Sequence, residues 1–155
     1  MLTSTMPSHG DIYGVHMSAL VGHVRPLSFL DSIPDIEMFL QTLVGGLGMR
    51  IIGGPLTSTE SGPVDRYGHS SVVLLAESHA AVHTYLSREA MFIDVFSCRA
   101  FETHTVYSTL GRFIDSFEII EESLQGRGVH WSSDIHESLA RWTRNRTDMP
   151  LSVTS

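Results

Sequence analysis

Apolar positions recur along this chain with two periods, and the change between them marks out the elements. Ile36, Phe39, Leu40 and Leu43 fall at the three-and-four spacing of one helical face. Asp31 or Ser32 can cap that helix, Pro34 suits its first turn, and Gly45, Gly46 and Gly48 end it. Val106, Leu110, Phe113 and Ile114 mark a second helix over about 103–116, and Ile135, Leu139 and Trp142 a third after Gly126. Between the first two helices the pattern becomes β-branched and aliphatic. Ser71 to Ala76, Ala80 to Tyr85 and Ala90 to Phe96 read as strands, with Arg88 and Glu89 at the turn between the last two. Ile12 to Val15, Met49 to Ile52 and Phe117 to Ile120 read as shorter strands. Gly53 to His69, rich in Gly, Pro, Ser and Thr, reads as a long loop, a kind of segment that often carries function.

Strands and helices alternating around a central antiparallel hairpin predict an α+β fold: a two-layer sandwich, mainly antiparallel, with helices on one face of the sheet. The 155 residues suit a single domain (1–155), with loose tails at 1–8 and about 146–155. With 42% hydrophobic and 17% charged residues, a folded globule is expected rather than a disordered chain. The longest apolar run, Val72 to Ala76, is too short to span a bilayer, and no charged start followed by an apolar stretch suggests secretion. The lone Cys98 excludes an internal disulfide and fits a reducing cytoplasm. A net charge of −7, with only Arg141, Arg144 and Arg146 loosely grouped, is a poor footprint for nucleic acid.

The candidate chemistry lies in the central strands. Ser70, Ser78, His83 and Cys98 supply two hydroxyls, an imidazole and a thiol on or beside strands that can pair. A tight hairpin is expected to bring Ser78, His83 and Cys98 close together, grouping a nucleophile, a base and an acid. Each residue also has a plain reading: a strand-end serine, a core histidine, a small buried thiol. His79 and His83 are four apart, but that spacing makes a zinc pair on a helix rather than on a strand, and no third ligand is evident, so no metal is expected. Gly-x-Ser-x-Gly is absent, which argues against a serine hydrolase.

In Glu77-Ser78-His79, His83-Thr84, Asp94-Val-Phe-Ser-Cys98, Gly68-x-Ser70 and Asp11-x-Tyr13-Gly14, the chain resembles the prokaryotic S-adenosylmethionine decarboxylase proenzymes. The register runs without a gap from Gly68 to Cys98, and the similarity extends over roughly 9–128. The resemblance implies self-cleavage between Glu77 and Ser78, giving a β chain 1–77 and an α chain 78–155. It assigns Ser78 as the residue converted to a covalent pyruvoyl group, which holds the substrate as a Schiff base. His83 becomes the base of processing, Ser70 its support, and Cys98 the proton donor in decarboxylation. It also implies a cytoplasmic enzyme of polyamine (spermidine) biosynthesis, a homodimer of αβ units or a larger oligomer with sites near the interface, and a small amino-acid-type substrate with neither nucleic acid nor membrane as partner. Asp11 and Tyr13 match the family as structural positions.

Departures gather where the family holds its nucleoside. Trp-Pro-Glu after His-Thr is replaced by Tyr85, Leu86 and Ser87, and a stacking Phe by Val64. Tyr85 can still stack, Ser87 lacks the ribose-binding carboxylate, and Glu89 is two residues out of register. Arg99 stands for a glycine and Val15 for a cysteine. The overall resemblance favours S-adenosylmethionine as the substrate, the altered pocket leaves ornithine and arginine as the alternative, and an inert homologue acting as partner or regulator is the reading from another class.

Overall fold

The computed structural model describes residues 13–128. They form β1 (Gly14–Arg25), a short 3-10 turn (Leu27–Asp31), α1 (Ile33–Gly46), β2 (Ile51–Glu60), β3 (Gly68–Leu75), β4 (Ser78–Tyr85), a second 3-10 turn (Leu86–Arg88), β5 (Ala90–Ser97), α2 (Thr103–Leu110) and β6 (Ser116–Arg127). One six-stranded sheet runs in the order β2-β3-β4-β5-β1-β6. The pairs β2–β3, β3–β4, β4–β5 and β1–β5 are all antiparallel. The fold is the α+β sandwich that the alternation of periods predicts.

One compact unit comprises Val15–Gln125, and the described residues 13–14 and 126–128 belong to a second. In the second, the Tyr13 N–H donates to the Arg127 carbonyl at 2.9 Å. The third helix and the loose tails lie outside the described residues.

Period two sorts the strands of the larger unit into two faces. Met17, Ala19, Val21, Val73, Leu75, Ala80, Val82, Met91, Ile93 and Val95 point to one side and are buried. There they meet Ile36, Phe39, Leu40 and Leu43 of α1 and Val106 and Leu110 of α2 in one core. The opposite face carries no helix among the described residues. Leu56, Leu74, Phe92 and Ile120 are exposed, the last three between 42% and 55%.

Local chemistry explains most element ends. The Ser32 hydroxyl caps α1 by accepting from the Asp35 N–H at 3.3 Å, with Pro34 in the first turn. Three expectations are corrected. The first strand is longer than Ile12 to Val15 and begins at Gly14, because Met17, Ala19 and Val21 alternate with His16, Ser18 and Leu20 as far as a left-handed His23 at φ 53°. The segment 53–60, read as loop, belongs to β2. Its Gly54 (φ 87°) and Pro55 sit where the register shifts, on an edge strand that tolerates both. The second helix stops at Leu110, since Arg112 and Phe113 donate to the carbonyls three residues back and tighten into a turn; Phe113 and Ile114 still reach the core.

Candidate active site

Ala76 and Glu77 are the two-residue loop between β3 and β4, and Ser78 opens β4. Such a short turn leaves its backbone groups to be satisfied from outside, and each bond here is identifiable. The Ala76 N–H donates to the Arg50 carbonyl at 2.9 Å, and the Arg50 N–H donates to the Glu77 carboxylate at 3.1 Å. The Cys98 N–H donates to the Glu77 carbonyl oxygen at 3.0 Å. That oxygen belongs to the peptide joining Glu77 to Ser78, so a fixed donor already polarises the carbonyl beside the Ser78 hydroxyl. Buried Ser97 shapes the turn that aims this donor, its hydroxyl accepting from the Arg99 N–H at 2.9 Å.

Ser78 has φ 153°, a conformation that residues with a side chain rarely adopt. Holding it costs on the order of 1–3 kcal/mol, which the surrounding hydrogen bonds must offset. The strain falls on the residue whose own peptide nitrogen would be released by cleavage. Cys98 is exposed just past the end of β5, and Ser78 pairs with Ser97 in the β4–β5 register. Hairpin geometry thus places the Ser78 residue, the Glu77 carbonyl and the Cys98 backbone at one end of the sheet.

His83 is elsewhere in the same chain. It lies five residues along β4 from Ser78, about 17 Å at the rise of a strand. It lies on the open face of the sheet, in register with the exposed Phe92. There its Nδ1 meets the Ser70 hydroxyl at 2.8 Å, across the registered Ser70–His83 pair. A single chain therefore does not assemble Ser78, His83 and Cys98 as one group, contrary to the expectation from the hairpin. It forms two separate groups, the candidate half-sites: Glu77, Ser78 and Cys98 at one end, and Ser70 with His83 on the open face.

The second half-site is rigidly built. An added Cβ at Gly68 would fall 1.7 Å from the Thr84 carbonyl oxygen, so only glycine lets β3 approach β4 there. The buried Thr84 hydroxyl donates to the Leu30 carbonyl at 2.8 Å and accepts from the His69 N–H at 3.0 Å. His69, also buried, places Nδ1 2.8 Å from the Thr59 hydroxyl and Nε2 3.2 Å from Asp31. Tyr67 donates to the same Asp31 oxygen at 2.6 Å. The Tyr67 bond, and secondarily His69, hold the Asp31 carboxyl below its usual range, while Asp31 raises the Tyr67 phenol. Residues 68, 69 and 84 thereby fix the register that sets Ser70 opposite His83. The sequence gives no periodic signal for their role, because each acts on a partner distant along the chain.

Tyr85, Ser87 and Val64 gather at the end of β4 remote from Ser78. Val64 and Ser87 line one cleft with Gly62, Tyr67 and Leu86, and Tyr85 lines an adjoining one. Glu89 does not replace the missing carboxylate at Ser87. It sits at a left-handed φ of 54° and is held by the Arg25 guanidinium at 2.8 Å. Arg99 reaches away from the Cys98 turn to the Gly48 carbonyl at 3.1 Å. His79 stands edge-on to Phe96, with ring centroids 5.8 Å apart. Among the described residues no three His, Cys, Asp or Glu side chains cluster as metal ligands, and no helix is long and apolar enough to cross a membrane.

Such a molecule is a two-layer α+β protein with a strained, hydrogen-bonded hairpin turn at one end of its sheet and a Ser–His pair on the open face. Comparison with known proteins gives that class a family. The family model described as S-adenosylmethionine decarboxylase matches residues 21–125, more than half of the chain, and the chain belongs to that family of decarboxylases. A curated relative, the S-adenosylmethionine decarboxylase proenzyme of Hydrogenobaculum sp. (strain Y04AAS1), is 29% identical over 132 residues, spanning 76% of this chain and 90% of the relative. The crystal structure of the adenosylmethionine decarboxylase from Aquifex aeolicus VF5 shares the fold, with a TM-score of 0.61 and 22% identity over 76% of this chain and 92% of that one.

Proposed function

We propose that the chain is the precursor of a pyruvoyl-dependent S-adenosylmethionine decarboxylase of polyamine (spermidine) biosynthesis in the cytoplasm, cut by its own chemistry between Glu77 and Ser78. The observation that carries this reading is the hydrogen bond from the Cys98 N–H to the Glu77 carbonyl oxygen, at a turn where Ser78 is strained. Attack of the Ser78 hydroxyl on that carbonyl carbon moves the acyl group from nitrogen to oxygen. The amide C–N bond breaks, an ester forms and the residue 78 amine is released. Removal of the residue 78 α-proton by His83 of a second copy then expels the new C-terminal carboxylate of residue 77 by β-elimination. Water replaces the nitrogen of the resulting dehydroalanine, which leaves as ammonia.

Intact Ser78, Glu77 and Cys98 fit the pyruvoyl group, which would occupy position 78. It supplies an electrophilic carbonyl for the substrate α-amine and an electron sink as carbon dioxide leaves. Cys98, exposed next to that position, is the group that returns a proton to the α-carbon.

The two half-sites favour a homodimer. A second copy apposed on the sheet face that carries no helix among the described residues would carry its Ser70–His83 pair and its clefts to the Ser78 turn of the first, and would cover Leu74 and Phe92. Mass spectrometry of the purified protein tests the reading. Two chains are expected, 1–77 and a second starting with pyruvoyl at residue 78, and Ser78→Ala should stay whole. Carbon dioxide release is expected from S-adenosylmethionine in preference to ornithine or arginine. Persistence of one full-length chain after incubation would support an inert partner instead.

A further inference from the structure

We infer that Asp65 and Arg88 form a nucleoside-reading site in the cleft beside Tyr85, with Asp65 accepting a vicinal diol and Arg88 covering a flat heteroaromatic ring. The inference rests on the decarboxylase reading above and names the residues that select its substrate. The cleft is about 360 Å³, at the small end of ordinary ligand sites, and is lined by Leu20, Asp65, Tyr85, Arg88, Ala90 and Phe92. Its floor is apolar. Leu20 and Phe92 are registered neighbours on β1 and β5, and Tyr85 stands edge-on to Phe92 with centroids 5.9 Å apart.

Against that floor stand two charges of opposite sign. Asp65 and Arg88 make no ion pair with each other, and neither has another side-chain partner among the described residues. Glu89, which lines a neighbouring cleft, is already held by Arg25. These charges discriminate by chemistry. An ammonium or guanidinium tail would be drawn to Asp65 but repelled by Arg88, and a phosphate would meet the reverse. A neutral, flat, hydroxylated group conflicts with neither. An ionised carboxylate accepts two hydroxyl protons with geometry that suits a cis-diol. A guanidinium plane stacks on an aromatic ring, and Tyr85 supplies an aromatic wall on the same cleft. This favours the nucleoside over a basic amino acid, although Val64 and Ser87 have lost the groups that the resemblance leads one to seek.

Calorimetry with three probes tests this on the purified full chain: 5′-methylthioadenosine, its 2′-deoxy analogue and agmatine. The nucleoside should bind and agmatine should bind at least tenfold more weakly. Asp65→Asn should weaken 5′-methylthioadenosine about tenfold or more yet barely alter the deoxy analogue, because the lost acceptor then has no diol to hold. Arg88→Lys, which keeps the charge without the plane, should weaken both nucleosides. Tighter binding of agmatine, no binding of the nucleoside, or an equal effect of Asp65→Asn on both nucleosides would overturn the inference. Mass spectrometry of the same sample for the residue 78 pyruvoyl group reports separately on the decarboxylase reading. Asp65 is exposed in a loop, so Asp65→Asn should leave the thermal unfolding midpoint unchanged.

Discussion

Cys98 contributes two different groups to one site, and they can be separated. Its backbone N–H holds the Glu77 carbonyl, while its thiol is the proposed proton donor. Cys98→Ala keeps the amide, so cleavage should proceed while decarboxylation falls by about two orders of magnitude or more, the usual worth of a positioned acid. Gel densitometry against carbon dioxide release reads the two apart, and parallel loss of both would contradict the division. Gly68 makes an equally sharp case. Gly68→Ala must drive a methyl into the Thr84 carbonyl oxygen, where backbone meets backbone and no rotamer gives relief. A loss of about 3 kcal/mol or more in unfolding free energy is expected, at the upper end of ordinary substitutions, together with failure to cut. Thr84→Val leaves the His69 N–H without its acceptor and should cost about 1–3 kcal/mol, with Thr84→Ser recovering most of it. Denaturant titration measures all three.

At the scale of elements, the β3–β4 hairpin carries both groups of the proposed chemistry, and its two ends are held by different devices. Arg50 and Cys98 grip the turn, and Thr84, His69 and Gly68 lock the open end. The packing of α2 against β6 has its own signature. Tyr107 stacks on Phe117 and donates to the Glu122 carboxylate. Burial, followed by that bond, pushes the Tyr107 phenol well above its ordinary value. A raised folded value means that the folded chain holds this proton more tightly than the unfolded chain. The stabilisation is complete below about pH 10 and is lost as pH rises beyond it. Unfolding midpoints measured between pH 8 and 12 should decline above pH 10, and less steeply in Tyr107→Phe.

For the molecule as a whole, the sheet face that carries no helix among the described residues, and the separated candidate half-sites, make a prediction about copies rather than residues. Ser78→Ala and His83→Ala chains should each remain uncut alone. Co-expressed, the His83→Ala chain should be cut at its intact Ser78 with help from His83 of the other variant. Absence of cleavage in a mixture shown to form hetero-dimers would place the chemistry within one chain. Phe92→Asp, on the exposed face, should shift the protein toward monomer in light scattering and slow cleavage.

Much of this architecture was legible from periodicity. The capped helix at Ser32, the three central strands and the α+β layering follow from spacing that any amphipathic element must obey. The strand of residues 53–60 was not, because its glycines and proline are loop signals that an edge strand with register shifts can absorb. Position along the chain also singled out Ser70, Ser78, His83 and Cys98 as candidates, since their identities and order lie in the sequence itself. It did not reveal that His83 is paired with Ser70 and held away from Ser78, that Cys98 offers its amide to the Glu77 carbonyl, or that Asp65 and Arg88 line one cleft. Those facts depend on strand pairing and on the alternation of side chains across a sheet, which bring distant residues together and drive near ones apart. The sequence by itself determined which groups are present and in what order; only the tertiary structure decided which of them share a face.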